Sequence, residues 1–239
     1  MRNEFIITAN VQMFNAICSG LEDPSSRIGP SMAMVTGAPG RGKSEASKQV
    51  AIQTRAIYIP PFNHRTATML LKDICFELRG VRPYRIEPCL TVIRDEMIKD
   101  RRLIIIDEAD NLPMNLLEML RNINELCACP ILFVGEDGLR GKLAREPRLL
   151  DRVRKSMEFG AVGQQDVAFF FKLNFGLVIE RDVCNTIHRY GKGTWRRVLK
   201  FAIAAEPAMQ ASNATDISLE LAEMVIKNLQ KDEHGRKDS

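Results

Sequence analysis

The stretch Gly37-Ala38-Pro39-Gly40-Arg41-Gly42-Lys43-Ser44 decides the fold of this chain. Its spacing, G-x-x-x-x-G-K-[ST], is that of a phosphate-binding loop, in which glycines let backbone N–H groups converge on phosphates. The apolar run 31–36 before it is typical of a strand, and 45–54 after it lacks Gly and Pro, as a helix does. This order predicts a nucleotide site at the positive end of a helix; a chance surface turn is the alternative.

The residue types in this loop predict separate roles. Lys43 is expected to reach the β and γ phosphates and to act in catalysis, and Ser44 is expected to hold Mg²⁺. The full set predicted to contact ATP here is Gly37, Ala38, Pro39, Gly40, Arg41, Gly42, Lys43, Ser44 and Glu45.

A second pattern is the run Leu103-Ile104-Ile105-Ile106-Asp107-Glu108-Ala109-Asp110. Continuous apolar residues of this kind are typical of a strand buried in a parallel sheet, and ligands bind at the carboxyl ends of such strands. Asp107 is expected to hold Mg²⁺ through its water shell, and Glu108 to orient and polarise the attacking water. An acidic pair alone could equally cap a helix, but the upstream loop favours a Mg·ATP site.

Basic residues cluster after a helix predicted over Leu139 to Leu150. A neighbouring subunit can donate an arginine to neutralise transition-state charge on the γ-phosphate. Arg152 is the first choice for this role and Arg148 the second. A solvated or DNA-facing patch is the competing interpretation.

The segment Arg79-Gly-Val-Arg-Pro-Tyr-Arg85 interleaves arginines with an aromatic residue. Such a segment suits backbone phosphates and stacking on bases, although a solvated arginine loop is an equal alternative. The residues predicted to contact DNA are Arg65, Arg79, Arg82 and Arg85.

After a predicted fifth strand at 156–161, the pattern becomes helical, with helices expected over 166–175, 181–190, 194–205 and 218–230. Arg196, one turn into the third of these, is expected to reach back to the nucleotide phosphates, and Trp195 to anchor the core. The predicted domains are an N-terminal helix and linker (1–30), an α/β ATPase domain (31–162), a helical lid (163–230) and a charged disordered tail (231–239).

Composition excludes several other classes of protein. The chain has 239 residues, 45% of them hydrophobic, and its 34 basic and 30 acidic residues permit a polyanionic partner without requiring one. No apolar run approaches the roughly 18 residues of a membrane span, and no signal peptide is visible, which predicts a cytoplasmic protein. The scattered cysteines predict reduced core thiols rather than a metal site.

The loop at 37–44, the acidic run at 103–110, the segment 148–152 and Gly193 to Arg196 occur in the order seen in AAA+ ATPases. In layout, and in the run Ile106 to Leu112, the chain resembles the transposition-regulator branch, which includes the transposition protein B of Mu-like bacteriophages and transposon helper ATPases. The resemblance implies an α/β P-loop NTPase with a parallel five-stranded sheet, flanking helices and a small all-α lid. In related ATPases a polar residue after the fourth strand senses the γ-phosphate, and Glu136 holds that place.

The resemblance further implies an ATP- and Mg²⁺-dependent ATPase that binds double-stranded DNA without sequence preference and assembles on it as rings or helical filaments. In that family it selects the target DNA and activates a transposase, in the host cytoplasm if phage-encoded. The core begins almost at Met1, so the N-terminal helix-turn-helix extension of the phage prototype is not expected. A helicase loader or replication initiator, and a nucleotide switch or scaffold without DNA binding, are the two alternatives.

Overall fold

The computed structural model describes residues 2, 4–23, 29, 31–61, 66–212 and 214–235. These form two compact units. The larger unit comprises Ala9–Ala38 and Lys43–Phe159, and the smaller unit comprises the described residues within Met1–Thr8, Pro39–Gly42 and Gly160–Ser239. The division places the described residues before the first helix in the smaller, helical unit, whereas the predicted domains grouped them with the N-terminal helix and linker, 1–30.

A five-stranded parallel sheet with the order β2-β3-β4-β1-β5 forms the centre of the larger unit. Its strands are β1 Met32–Thr36, β2 Ile57–Ile59, β3 Ile104–Ile106, β4 Ile131–Val134 and β5 Val153–Glu158. The side chains of β3 and β4 are fully buried, as the continuous apolar runs predict. The predicted α/β class with a parallel five-stranded sheet is therefore confirmed.

Seven helices belong to this unit in the described part of the chain. They are α1 Ala9–Glu22, α2 Lys43–Thr54, α3 Ala67–Arg79, α4 Ile86–Lys99, α5 Met114–Cys127, α6 Gly138–Leu143 and α7 Pro147–Leu150. The apolar stripe of α1, which includes Val11, Phe14 and Leu21, is buried as its spacing predicts. Thr66 caps α3 by accepting a hydrogen bond from the backbone N–H of Met69.

The boundaries differ from the sequence prediction around the basic segment. The predicted helix over 139–150 is two short helices, because Pro147 lacks an N–H and begins a new helix at its first position. The last strand begins at Val153 rather than at residue 156, and its side chains are mostly exposed because it lies at the sheet edge. Arg152 therefore precedes a strand directly.

The smaller unit contains four helices: α8 Gln164–Phe175, α9 Arg181–Gly191, α10 Trp195–Ala211 and α11 Leu219–Gly235. An aromatic cluster holds it together, with the Trp195 ring 5.8 Å from that of Phe170. The backbone N–H of Glu4 donates to the side chain of Asn174, which explains why the N-terminal residues pack in this unit. Because α11 continues to Gly235, residues 231–235 of the predicted tail are helical, and 236–239 lie outside the described residues.

The cysteines agree with the compositional argument. All six cysteines are buried as free thiols, and burial raises the pKa of Cys18 to about 12, so it stays protonated. Within the described ranges, no helix is both long and apolar enough to cross a membrane.

Candidate nucleotide site

The phosphate-binding loop follows β1, and its glycines adopt backbone conformations that are unfavourable for residues with a side chain. Gly40 and Gly42 have φ angles of 77° and 103°, in the left-handed region. At Gly37 a Cβ atom would lie 2.6 Å from the carbonyl oxygen of Phe159, so any other residue would displace the backbone. The loop therefore requires glycine for both its curvature and its close approach to the end of β5.

Lys43 begins α2, and its side chain turns back into the loop. The residue is only 8% exposed, and its Nζ donates hydrogen bonds to the carbonyl oxygens of Gly37 at 2.5 Å and Ala38 at 3.0 Å. A buried ammonium needs such partners because water is excluded from it. The positive charge is thus held at the amino end of α2, where the helix dipole also favours an anion.

The next two residues differ in their surroundings. Ser44 is half-buried in the first turn of α2, as a ligand next to the loop requires. The carboxylate of Glu45 is largely exposed and pairs with Lys48 at 2.7 Å. Any contact of Glu45 with a nucleotide is therefore expected from its backbone N–H rather than its carboxylate.

Asp107 lies at the carboxyl end of β3 and is 4% exposed. Its Oδ1 accepts from the backbone N–H of Glu108 at 2.9 Å, and its Oδ2 accepts from the hydroxyl of Tyr58 at 2.8 Å. Burial, and next the charge of Asp107, raise the pKa of Tyr58 above its ordinary value, so the hydroxyl remains a donor. These bonds fix the orientation of a carboxylate that would otherwise be buried without partners.

Glu108 follows with an unusual backbone. Its φ and ψ are 48° and 42°, which is the left-handed region that non-glycine residues rarely adopt. The side chain is exposed, and its Oε2 accepts from the amide of Asn111 at 3.1 Å. Backbone strain of this kind is often found at functional sites, and the role of Glu108 in orienting water stays a prediction.

Glu136, the predicted γ-phosphate sensor, is positioned through its backbone. It follows β4, its side chain is exposed, and its N–H donates to Asp110 Oδ1 at 3.0 Å. Its sensing role stays a prediction.

The two arginines considered for action on a neighbour differ in their contacts. Arg152 pairs with Glu125 at 2.9 Å, and both side chains are less than half exposed. Arg148 has an exposed side chain beside a groove of about 390 Å³ that is also lined by Arg121 and Glu146. Arg148 has no ion-pair partner among the described residues, so it can extend outward without leaving one.

In the smaller unit, Arg196 lies beside the tip of the loop. A Cβ built on Gly40 would be 3.4 Å from the Cβ atoms of Arg196 and Thr194, and the backbone N–H of Trp195 donates to Gly40 O at 2.7 Å. Arg196 itself is exposed. The start of α10 is therefore fastened to the loop tip, next to the arginine predicted to contact phosphates.

The arginines predicted to contact DNA lie around the turn between α3 and α4, except that Arg65 falls outside the described residues. Arg79 and Arg85 are exposed, and Tyr84 is 90% exposed. Arg82 is held, because it pairs with Asp73 at 2.6 Å and its guanidinium lies 4.4 Å from the centre of the Phe76 ring.

The residues present fit a magnesium nucleotide. The curled glycine loop, with the buried Lys43 ammonium, is a cradle that a Cβ would fill, and it suits phosphate oxygens. The buried carboxylate of Asp107, at the same edge of the sheet, is a hard oxygen donor that suits Mg²⁺. Tyr58 was missed by sequence reasoning because its link to Asp107 spans 49 residues; its only sequence signal is a hydroxyl in an otherwise apolar strand.

Comparison with known proteins agrees with this site. A family model described as "AAA domain" matches residues 27–143. The ATP-dependent target DNA activator B of Escherichia phage Mu is 27% identical over 146 residues, which cover 57% of this chain and 47% of that protein. A potential ATP-binding protein of Staphylococcus aureus is 28% identical over 143 residues, covering 56% and 53%. The chain thus aligns with about half the length of each relative.

Solved structures share the fold. The Aeropyrum pernix ORC2 protein in its ADPNP–ADP complexes has a TM-score of 0.68 at 16% identity, covering 94% of this chain and 70% of that one. The RuvB Holliday junction branch migration motor of Thermotoga maritima has a TM-score of 0.64 at 16% identity, with the same coverage. At such identities the likeness shows the fold alone.

The parallel sheet, the phosphate loop and the acidic motif define a P-loop nucleotide-binding fold of the AAA+ type, and the AAA-domain match over residues 27–143 agrees with it. Within that class, the chain is similar to the target DNA activator B proteins of phages Mu and D108.

Replacing Lys43 with Ala is expected to weaken binding of Mg·ATP by about 100-fold or more, because the phosphates lose their buried cation. Equilibrium titration with a fluorescent ATP analogue measures this. Lys48→Ala, on the same helix but exposed, is the matched control and should bind as the unsubstituted chain does. Equal affinity in the Lys43 variant would contradict the site.

Proposed function

We propose that the chain is an ATP-dependent DNA-binding ATPase that assembles on duplex DNA and acts in DNA transposition, where it selects target DNA and activates a transposase. The observation that carries this proposal is the similarity to proteins named ATP-dependent target DNA activator B. The AAA-domain match supports it, since residues 27–143 include both the phosphate loop and the acidic motif. The proposal includes a cytoplasmic location, or the host cytoplasm if a phage encodes the protein.

Hydrolysis follows from the roles of five side chains. In this proposal Lys43 and the loop N–H groups bind the β and γ phosphates. Ser44, and Asp107 through its water shell, would hold Mg²⁺, which when bound would neutralise charge on the phosphate oxygens. Glu108 orients the attacking water and accepts its proton. Tyr58 keeps Asp107 oriented through the 2.8 Å hydrogen bond.

Assembly and hydrolysis share one interface in this proposal, because an arginine of the neighbouring subunit completes the site. Arg148 now ranks above Arg152, since Arg152 would have to leave its pair with Glu125. A partly exposed ion pair of this kind contributes little to stability, so Arg152 stays the second choice.

DNA binding is assigned to the turn between α3 and α4. Arg79 and Arg85 lie on either side of the exposed Tyr84. The ion pair between Arg82 and Asp73 holds this turn in place. Arginines that contact phosphates confer affinity without reading sequence, so binding should show little sequence preference.

The fold also suits a helicase loader or replication initiator, since the ORC2 structure shares it. That likeness stops at the fold, whereas the sequence relatives favour transposition. A nucleotide switch without DNA binding lacks a comparable observation in its favour.

Binding to duplex DNA is expected to require ATP and to fall steeply with salt, because phosphate contacts release counterions. For three arginine contacts, log K should fall with log salt at a slope of about −3, and Arg85→Ala should reduce the slope by about 1. Fluorescence anisotropy of a labelled duplex, with ATP or ADP, measures both effects.

Arg94→Ala is the control for this experiment, because Arg94 lies on the neighbouring helix and is paired with Asp95. Binding that is independent of salt, or equal with ATP and ADP, would count against the assignment.

Arg148→Ala is expected to lower ATP hydrolysis by the assembled protein about 1,000-fold, because the γ-phosphate loses the neighbour's cation. Affinity for ATP should change little, since the arginine acts in the transition state. Comparing turnover of this variant with that of Arg152→Ala, at concentrations where the protein is assembled, decides between the two. Unchanged turnover in both variants would exclude a trans role for either.

A further inference from the structure

Asp110 has no role in the proposed function so far, yet it joins two parts of the site. We propose that Asp110 is a positioning residue for ATP hydrolysis. Asp110 ties the acidic loop after β3, which carries Asp107 and Glu108, to the end of β4, and so holds Glu108 in place. The inference rests on the proposed hydrolysis of ATP.

The first contact that supports this role bridges two neighbouring strands. Asp110 Oδ1 accepts the backbone N–H of Glu136 at 3.0 Å, although the residues are 26 positions apart. β3 and β4 are paired in the sheet, and both segments follow their carboxyl ends. A carboxylate bonded to a backbone N–H is a charge-assisted hydrogen bond, stronger than a neutral one.

Gly135 makes this contact possible. A Cβ atom at that position would lie 2.4 Å from Asp110 Oδ1 and 3.1 Å from a side-chain carbon of Leu139. Because Cβ atoms do not approach other atoms so closely, any residue but glycine would push the carboxylate away. The absence of a side chain at Gly135 therefore has a specific explanation in Asp110.

Lys142 on α6 holds the same loop from another direction. Its Nζ donates to the backbone carbonyl oxygens of Asp110, at 2.7 Å, and Leu112. Burial lowers the pKa of Lys142, while the carboxylate of Asp110 opposes that shift. The loop is thus fastened through the side chain and the backbone of Asp110.

These contacts bear directly on Glu108. A short 3₁₀ turn, Ala109–Asn111, follows Glu108 and contains Asp110, and Asn111 in that turn donates to the Glu108 carboxylate. The left-handed backbone of Glu108 persists only if its surroundings enforce it. Asp110 and Lys142 supply that constraint, because they fix the turn against β4 and α6.

The test compares Asp110→Ala, Asp110→Asn and Gly135→Ala. The Ala variant loses the acceptor, the Asn variant keeps a neutral acceptor oxygen, and the Gly135 variant displaces an intact Asp110. We expect turnover to fall about 10-fold or more in Asp110→Ala and Gly135→Ala, and no more than about threefold in Asp110→Asn. Affinity for a fluorescent ATP analogue and the melting temperature should stay close to those of the unsubstituted chain.

Asp137→Ala is the matched control, since Asp137 is an exposed neighbour whose side chain makes no capping hydrogen bond to α6. Unchanged turnover in Asp110→Ala would overturn the role. A fall in turnover accompanied by weaker ATP binding and a lower melting temperature would also overturn it, because it would indicate a general loss of structure. Equal losses in the Asn and Ala variants would also overturn it. An unsubstituted chain that binds ATP but does not hydrolyse it would instead overturn the proposed function, and this inference with it.

Discussion

The buried ammonium of Lys43 is the interaction on which the rest of the site depends. A charge at 8% exposure is stable only with hydrogen-bond partners, which the carbonyl oxygens of Gly37 and Ala38 provide. That arrangement requires a loop without side chains at Gly37 and Gly40, and a buried strand to deliver the loop. The parallel sheet supplies that strand and places Asp107 at the same edge.

The sequence predicted those features that local patterns encode. The apolar run before Asp107 identified a buried strand, and the glycine spacing identified the loop. Contacts between distant residues were not predictable: Tyr58 with Asp107, Asp110 with Glu136, and Glu4 with Asn174 have no periodic signature. The break at Pro147 was missed because the apolar spacing of Leu139, Leu143 and Leu150 continues across it.

Fold and sequence similarity answer different questions about this chain. The sheet and helices are shared with ORC2 and with the RuvB motor, so they define the fold without deciding the protein's function. The similarity to target DNA activator B favours transposition, and the exposed turn between α3 and α4 is the surface proposed to contact DNA phosphates. In the proposed account, ATP links assembly to DNA binding, because a neighbour's arginine completes the nucleotide site only in an assembly.

Electron microscopy of the Glu108→Gln variant, mixed with linear duplex DNA and either ATP or ADP, tests this account most directly. Loss of the group that activates water should trap the ATP-bound assembly, since binding by Lys43 is unaffected. The account predicts rings or filaments along the DNA with ATP, and bare DNA with ADP. Bare DNA and dispersed single chains under both conditions would contradict it.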